Sequence, residues 1–310
     1  MMLQLSQAWN RFFFTPQRPT VLALYRMAFA ALVLLDLFLF YPDWLTWLGD
    51  DGLLSMNAVP GAGRFTHLSI FDIWPPGDAA TLALFWIFVI FAFFLSIGFL
   101  SRFSSVIVFV ALLSIQKRNP MITSGGDALL RLDAFFLMFA PTGAALSVDR
   151  LISRYRGRQP RESKLVLPWA QRMIQIQTTV LYLSTAYWKL RGHTWIDGTA
   201  LYYVFHLIEF KQFSIPGASH MALIKLMTWS TLAIELSLGT LVWIRRLRYW
   251  VLLAGVCLHA GIEYALNIPL FSLTVVASYL TFVEPQDFTA SIKKGHRRFT
   301  RFLCPTLSKP

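Results

Sequence analysis

The segment that decides the fold is residues 167–191, LPWAQRMIQIQTTVLYLSTAYWKLR, a largely apolar run whose last residues include Lys189. Its polar side chains are spaced 4, 3, 4, 3 and 4 residues apart, at Gln171, Gln175, Thr178, Tyr182, Thr185 and Lys189. This spacing places all of them in one stripe along a helix. Because amides, hydroxyls and an ammonium group are costly against lipid, we expect the stripe to face other helices or a polar cavity.

The composition of the whole chain indicates an integral membrane protein. Of its 310 residues, 56% are hydrophobic and 14% are charged, and the mean hydropathy is +0.53. A soluble domain does not need so much apolar surface to fill one core. The formal net charge is +12, but the basic residues alternate with apolar segments, which is typical of contact with anionic lipid rather than with nucleic acid.

Eight segments are candidate transmembrane helices, because a helix needs about twenty mostly apolar residues to cross about 30 Å of hydrocarbon. They are 20–41, 79–100, 103–118, 128–146, 167–190, 221–243, 247–266 and 268–283. The predicted fold is all-α, a polytopic integral membrane helical bundle with about eight transmembrane helices. Its predicted parts are a cytoplasmic N-terminal segment at 1–19, the bundle at 20–283 and a basic cytoplasmic tail at 284–310.

The distribution of charge predicts the orientation of the bundle. Lys and Arg are concentrated on one side, above all in 150–164, 245–248 and 293–309, whereas acids are more frequent on the other. Both termini are therefore predicted to be cytoplasmic, in a bacterial inner membrane. The outer segments 42–78 and 191–220 are rich in Trp and Tyr, so we expect either short amphipathic helices or an aromatic belt there.

Polar residues in other spans could meet the stripe. His259, Glu263 and Asn267 follow one another at intervals of four residues in the seventh span, and Glu235 lies near the middle of the sixth. With two cysteines and no tight histidine spacing, the sequence predicts neither a disulfide framework nor a metal site.

Charged residues in the first and fourth spans have a structural interpretation. Asp127 and Arg131 stand in an i, i+4 arrangement at the start of the fourth span, which favours an ion pair within the helix. Arg26 and Asp36 in the first span are expected to bind neighbouring helices.

Two interpretations of Lys189 remain open at this point. A lysine at the C-terminal end of a membrane helix can extend to the headgroups and complement the helix dipole. Alternatively, it shares the face of Tyr182 and Thr185 and points into the bundle. Burial disfavours the charged form of a lysine, and a neutral amine can act as a general base.

Three stretches resemble the membrane domain of the vitamin K-dependent gamma-carboxylases. They are YLSTAYWKLRGHTWIDG at 182–198, SVDR at 147–150 and LHAGIEYALNIPLFSLTVVASYLTFVEP at 258–285. In the carboxylases, a Tyr-rich helix similarly ends in Lys-Leu and is followed by a Trp, an acid and a Gly. By these features the chain resembles the HTTM (horizontally transferred transmembrane) domain family, of which the carboxylase membrane region is one member.

The resemblance implies a chemical role for Lys189. In the carboxylases the matching Lys is regarded as the base that deprotonates vitamin K hydroquinone, and the His matching His259 belongs to the same active-site region. Oxygenation of the quinol then yields an alkoxide that removes the gamma proton of a peptide glutamate, and carbon dioxide traps the carbanion. The chain departs from the family's Asn-His pair, which falls near Gly125, Gly126 and Asp127. It also shows no large extracytoplasmic domain, so we expect carboxylation to need a separate partner subunit.

We therefore predict a quinol-utilising membrane enzyme with Lys189 and His259 as catalytic residues. Its cofactor would be a reduced quinone, either vitamin K hydroquinone or menaquinol. The residues expected around the substrate are Tyr182, Thr185, Asp127, Glu235, Glu263 and Asn267. The expected partners are membrane lipid, the quinone and a soluble extracytoplasmic subunit or peptide substrate.

The alternative is a non-enzymatic membrane component that matures, exports or binds a secreted peptide. A transporter is a third reading, disfavoured by the lack of internal repeats.

Overall fold

The computed structural model describes residues 2–53, 69–119, 122–157, 164–213, 215, 217 and 219–288. Within this part the chain is helical, and its backbone pairing outside helices includes two isolated bridges, between Gln17 and Val166 and between Lys211 and Leu266. The predicted all-α fold is thus confirmed. Most of the predicted basic tail, from residue 289 onward, lies outside the described residues.

One helix occupies each of the eight predicted segments. These helices are α2 Thr20–Phe40, α4 Asp78–Ile97, α5 Ser101–Arg118, α6 Gly125–Phe139, α8 Trp169–Arg191, α11 Met221–Gly239, α12 Arg248–Ala265 and α13 Phe271–Ser278, which a 3-10 turn extends through Tyr279–Phe282. The described shorter helices are α1 Met2–Phe14, α3 Trp44–Leu48, α7 Val148–Tyr155, α9 His193–Ile196 and α10 Ala200–His206. Short helices therefore do occur in the segments 42–78 and 191–220.

Three stretches in the described part of the chain are long and apolar enough to cross a membrane, Thr20–Leu48, Asp78–Ile97 and Met221–Gly239. The helical stretch Phe271–Phe282 is apolar but shorter. Helix α8 has 23 residues, but the polar stripe lowers its hydropathy, and α6 has only 15 residues. These findings support a membrane protein, while the count of about eight spans stays a prediction.

Two hydrophobic clusters hold the helices together. One is centred on α2, α4 and α5, with Phe29, Phe85 and Phe88 almost fully buried, and the other joins α8, α11, α12 and α13. Helix α13 contacts α2, α6, α8 and α12, so it lies between the two clusters. This arrangement brings polar residues of α8, α11, α12 and α13 into one region.

Arg26 connects α2 to the segment that follows α6. It is fully buried, and its guanidinium donates hydrogen bonds to the carbonyl oxygens of Thr142 and Leu146, both at 2.6 Å. A buried charge needs such partners. Arg26 Nη2 also donates to the carbonyl oxygen of Ser96 on α4 at 3.4 Å, so the prediction that Arg26 binds a neighbouring helix is confirmed. No hydrogen bond or ion pair of Asp36 is found within the described residues.

The predicted ion pair between Asp127 and Arg131 is wrong. Instead, the Asp127 carboxylate accepts the backbone N–H of Ser124 at 2.6 Å, and the Ser124 hydroxyl accepts the backbone N–H groups of Gly126 and Asp127. This capping box satisfies N–H groups that the first turn of α6 leaves free. The cap directs the Asp127 carboxylate back over the helix start and away from the next turn.

Candidate functional site

The polar stripe of α8 faces the interior of the bundle, as its spacing predicts. Gln171, Gln175, Thr178 and Tyr182 are at most 4% exposed. The two outer members, Thr185 and Lys189, are partly buried. The stripe divides into three parts with different contacts.

The first part of the stripe binds the end of α13. Gln171 and Gln175 both donate from Nε2 to the carbonyl oxygen of Thr281, at 2.6 and 2.5 Å. The Thr178 hydroxyl donates to Ser278 Oγ at 3.2 Å. These hydrogen bonds are buried, and they hold α8 against the end of α13.

The middle of the stripe is a trio of hydrogen-bonded side chains from three helices. The Tyr182 hydroxyl on α8 bonds to His259 Nε2 on α12 at 2.7 Å and also to the Tyr279 hydroxyl at the end of α13. All three residues are at most 5% exposed. Tyr279 was not among the predicted site residues, because a tyrosine in an apolar span has no period or motif that marks it.

The outer end of the stripe is an ion pair. The Lys189 ammonium bonds to the Glu235 carboxylate on α11, and the Thr185 hydroxyl donates to the other oxygen of Glu235 at 3.4 Å. The Lys189 side chain is 25% exposed and that of Glu235 is 7% exposed. The Lys189 side chain therefore points at a neighbouring helix.

Helix α9 covers this ion pair. The Lys189 Nζ lies 4.8 Å from the ring centre of Trp195, within the range of a cation–π contact. The turn that follows α9 is fixed by Thr199, whose hydroxyl and backbone N–H donate to Asp197 Oδ1 at 2.6 and 2.8 Å. These bonds, with smaller help from His193, hold the pKa of Asp197 below its ordinary value. These bonds fix the turn directly after α9, the helix that carries Trp195.

The ion pair and the trio belong to one polar group. Thr185 lies between them, because its hydroxyl bonds to the Glu235 carboxylate at 3.4 Å and to the backbone carbonyl oxygen of Tyr182 at 3.0 Å. Four helices therefore contribute to a site with one ammonium, one carboxylate, one imidazole and two phenols. Groups of this kind can accept, donate and pass on protons.

The remaining predicted site residues lie at different distances from this group. Glu263 is one helical turn from His259, and both Glu263 Oε2 and His259 Nδ1 are buried without a hydrogen-bond partner among the described residues. Asn267 is exposed, and its backbone N–H donates to the carbonyl oxygen of Phe210. Asp127 caps α6 and lines a separate cavity, so no contact joins it to Lys189.

A second buried polar contact was not predicted. Asp133 on α6 is 1% exposed and accepts hydrogen bonds from the Tyr25 hydroxyl at 2.5 Å and from Gln177 Nε2 at 3.1 Å. Two sequence signals could have indicated this contact: Asp133 is a carboxylate inside an apolar span, and Gln177 is an amide on α8 off the stripe. Because the Asp133 carboxylate is buried and bonds to two protein side chains, we regard this contact as structural.

The described residues contain no group of three or more His, Cys, Asp or Glu side chains that could hold a metal ion.

Comparison with known proteins places this arrangement in a family. The HTTM domain matches residues 14–286. The chain belongs to the HTTM domain family. The membership inferred from the three resembling stretches is thus confirmed, and this HTTM protein is a membrane protein.

This HTTM protein is also similar to sporulation-delaying protein SdpB of Bacillus subtilis strain 168, with 24% identity over 229 residues. The similarity covers 66% of this chain and 68% of SdpB. No solved structure matches the chain.

Proposed function

We propose that this HTTM protein is a quinol-utilising membrane enzyme in which Lys189 removes a proton from a hydroquinone. The observation that carries the proposal is the pairing of Lys189 with Glu235 beside the trio of Tyr182, His259 and Tyr279. The resemblance of residues 182–198 to the carboxylase segment supports the quinol as the substrate.

In the proposal, Glu235 holds the Lys189 amino group in position for this step. The Lys189 amine takes the phenolic proton of the quinol. The products of the step are a Lys189 ammonium and a quinolate ion, which attract each other.

The trio supplies a second proton-transfer group. His259 bonds to Tyr182 through Nε2 and has no described partner at Nδ1. In the proposal, His259 orients the quinol or carries its second proton toward Glu263, one turn further along α12. The overall change, quinol plus oxygen giving epoxide plus water, balances without a metal. Coupling to glutamate carboxylation would require a partner subunit or peptide.

The proposal is tested on full-length protein in lipid nanodiscs, with vitamin K hydroquinone or menaquinol and oxygen, by chromatography of the epoxide. We expect Lys189→Ala to lower the rate about 100-fold or more, since loss of a general base costs about 10²–10⁴. The matched control is Lys211→Ala, which removes an exposed lysine that belongs neither to the ion pair nor to the trio. Wild-type protein that binds no quinol, or a folded Lys189→Ala protein with full activity, would contradict the proposal.

A second candidate is a non-enzymatic membrane component that matures, exports or binds a secreted peptide. It is favoured by the bonds of Gln171 and Gln175 to Thr281, which are purely structural. In this reading Lys189 and Glu235 also serve only to hold α8 against α11. This second function would be supported if the protein binds no quinol and if substitution of Lys189 or Glu235 lowers its stability.

We also propose that the helices of the eight predicted segments all cross the bilayer of a bacterial inner membrane, with both termini in the cytoplasm. The basic segment around α7 would then face the cytoplasm, and Lys189 and α9 would lie near the extracytoplasmic surface. A quinone that moves within the bilayer could reach the pair from the lipid.

A further inference from the structure

A separate cavity lies between α2, α5, α6 and the turn before α13. Its volume is about 330 Å³, and apolar side chains such as Phe40, Trp47 and Leu112 form most of its wall. The lining residues with carboxyl, amide or hydroxyl side chains are Asp36, Gln116, Thr123, Ser124 and Asp127. Neither the ion pair nor the trio contributes to this wall, so the quinol proposal leaves the cavity without a role.

Gln116 presents an unsatisfied acceptor there. The side chain is 6% exposed, and its Nε2 donates to the backbone carbonyl oxygen of Asp127 at 2.7 Å. Because a carbonyl can only accept, this bond fixes which end of the amide is the oxygen. Gln116 Oε1 is buried with no hydrogen-bond partner among the described residues, and the same holds for Thr123 Oγ1. Leaving such groups unpaired is costly, and each calls for a donor.

The charge of the cavity has one sign. Asp36 has no hydrogen bond or ion pair within the described residues, where the Asp127 carboxylate accepts only the N–H of Ser124. No Lys, Arg or His is among the described residues that line the wall. The wall thus combines two carboxyl groups with two hydroxyls and the amide oxygen of Gln116, which has no described donor.

We infer that this cavity binds a small primary amine that carries an apolar body. A protonated amine has three N–H donors and no acceptor, which matches the carboxyl of Asp36, Gln116 Oε1 and the Thr123 hydroxyl. The rings of Trp47 and Phe40 suit both the cation and the apolar body. A volume of about 330 Å³ is at the small end of ligand pockets, which have room for one ring and a short chain. A bare metal ion would leave the apolar wall unused, since hard cations coordinate oxygen only.

The experiment is calorimetric titration of phenylbutylamine into the full-length protein in phosphatidylcholine nanodiscs. Empty nanodiscs give the background from partition into lipid. Phenylbutanol and phenylbutyrate have the same apolar body but a neutral or a negative end group. We expect saturable binding of the amine, binding of the alcohol weaker by about tenfold or more, and no binding of the carboxylate. Equal binding of amine and alcohol would overturn the inference.

Variants locate the binding. Asp36→Asn keeps the shape and removes the charge, and should weaken amine binding about 10-fold to 100-fold. Thr123→Val removes one acceptor and should weaken amine binding less than Asp36→Asn does. This second variant keeps the test decisive if Asp36→Asn does not fold. Asp43→Asn, a carboxylate in an exposed position outside the cavity, should change nothing. Unchanged binding in both cavity variants would refute the assignment, as would sodium or calcium that binds the site in place of the amine. Lys189→Ala should retain amine binding, so this result does not depend on the quinol chemistry.

Discussion

At the scale of single residues, the pair of Lys189 and Glu235 determines how the outer end of the bundle is stabilised and what it can do. The carboxylate is nearly buried, whereas a quarter of the lysine side chain is exposed. Removal of one partner leaves the other charge desolvated without its counterion, but solvent moderates the cost on the lysine side. Stability and chemistry at this position can therefore be separated.

We expect Glu235→Ala to lower the free energy of unfolding by about 1–3 kcal/mol, because the Lys189 ammonium loses its buried counterion. The double variant Lys189→Met, Glu235→Met should regain most of this loss, since two apolar side chains carry no charge to be desolvated. The measurement is the unfolding midpoint in detergent. The double variant should remain inactive with quinol even when it is stable. A double variant as unstable as Glu235→Ala would show that charge is not the cause.

At the scale of elements, the turn between α4 and α5 is built around Arg26. Gly98 ends α4 with φ of 70°, in the left-handed region that a glycine adopts without strain. A Cβ at this position would lie 2.6 Å from Arg26 Nη1 and 2.5 Å from the Cβ of Ser147. The close approach lets the guanidinium reach the carbonyl oxygens after α6. Gly98 thus allows the left-handed turn and also leaves the space that the Arg26 guanidinium occupies.

Gly98→Ala should therefore lower the free energy of unfolding by more than the strain of an alanine at positive φ alone. Gly157 is the matched control, because its φ is 67° and an added Cβ there meets no described residue within 4 Å. Gly157→Ala should cost about 1 kcal/mol for the strained φ. Gly98→Ala should cost about 1–3 kcal/mol beyond that, because Arg26 is displaced from its acceptors. Comparable unfolding midpoints for the two variants would contradict the role given to Arg26.

At the scale of the whole molecule, the proposed topology places α7 and the segment after α10 on opposite sides of the membrane. Arg154 and Lys211 are both exposed and provide a reporter for each side. In a background of Cys257→Ser and Cys304→Ser, we expect Lys211→Cys to react with an impermeant maleimide in spheroplasts. Arg154→Cys should react only after the membrane is opened. Labelling of both from the same side would exclude the arrangement of eight spans with cytoplasmic termini.

Much of the fold follows from the sequence because helices satisfy their backbone hydrogen bonds locally. Length and apolarity therefore located the eight helices. The regular spacing from Gln171 to Lys189 indicated the face of α8 that turns inward, since periodicity is a property of one helix alone. Both predictions depend on residues a few positions apart.

Only the tertiary structure decided which side chains meet across helices. The contacts of Lys189 with Glu235 and of Tyr182 with Tyr279 join residues 46 and 97 positions apart. Such contacts depend on how each helix is rotated and where it crosses its neighbour, and local spacing contains neither quantity. The same reason explains why Asp127 lies in a separate cavity with Asp36. The sequence by itself determined the helices and the inward stripe, and the packing of the helices decided what the stripe touches.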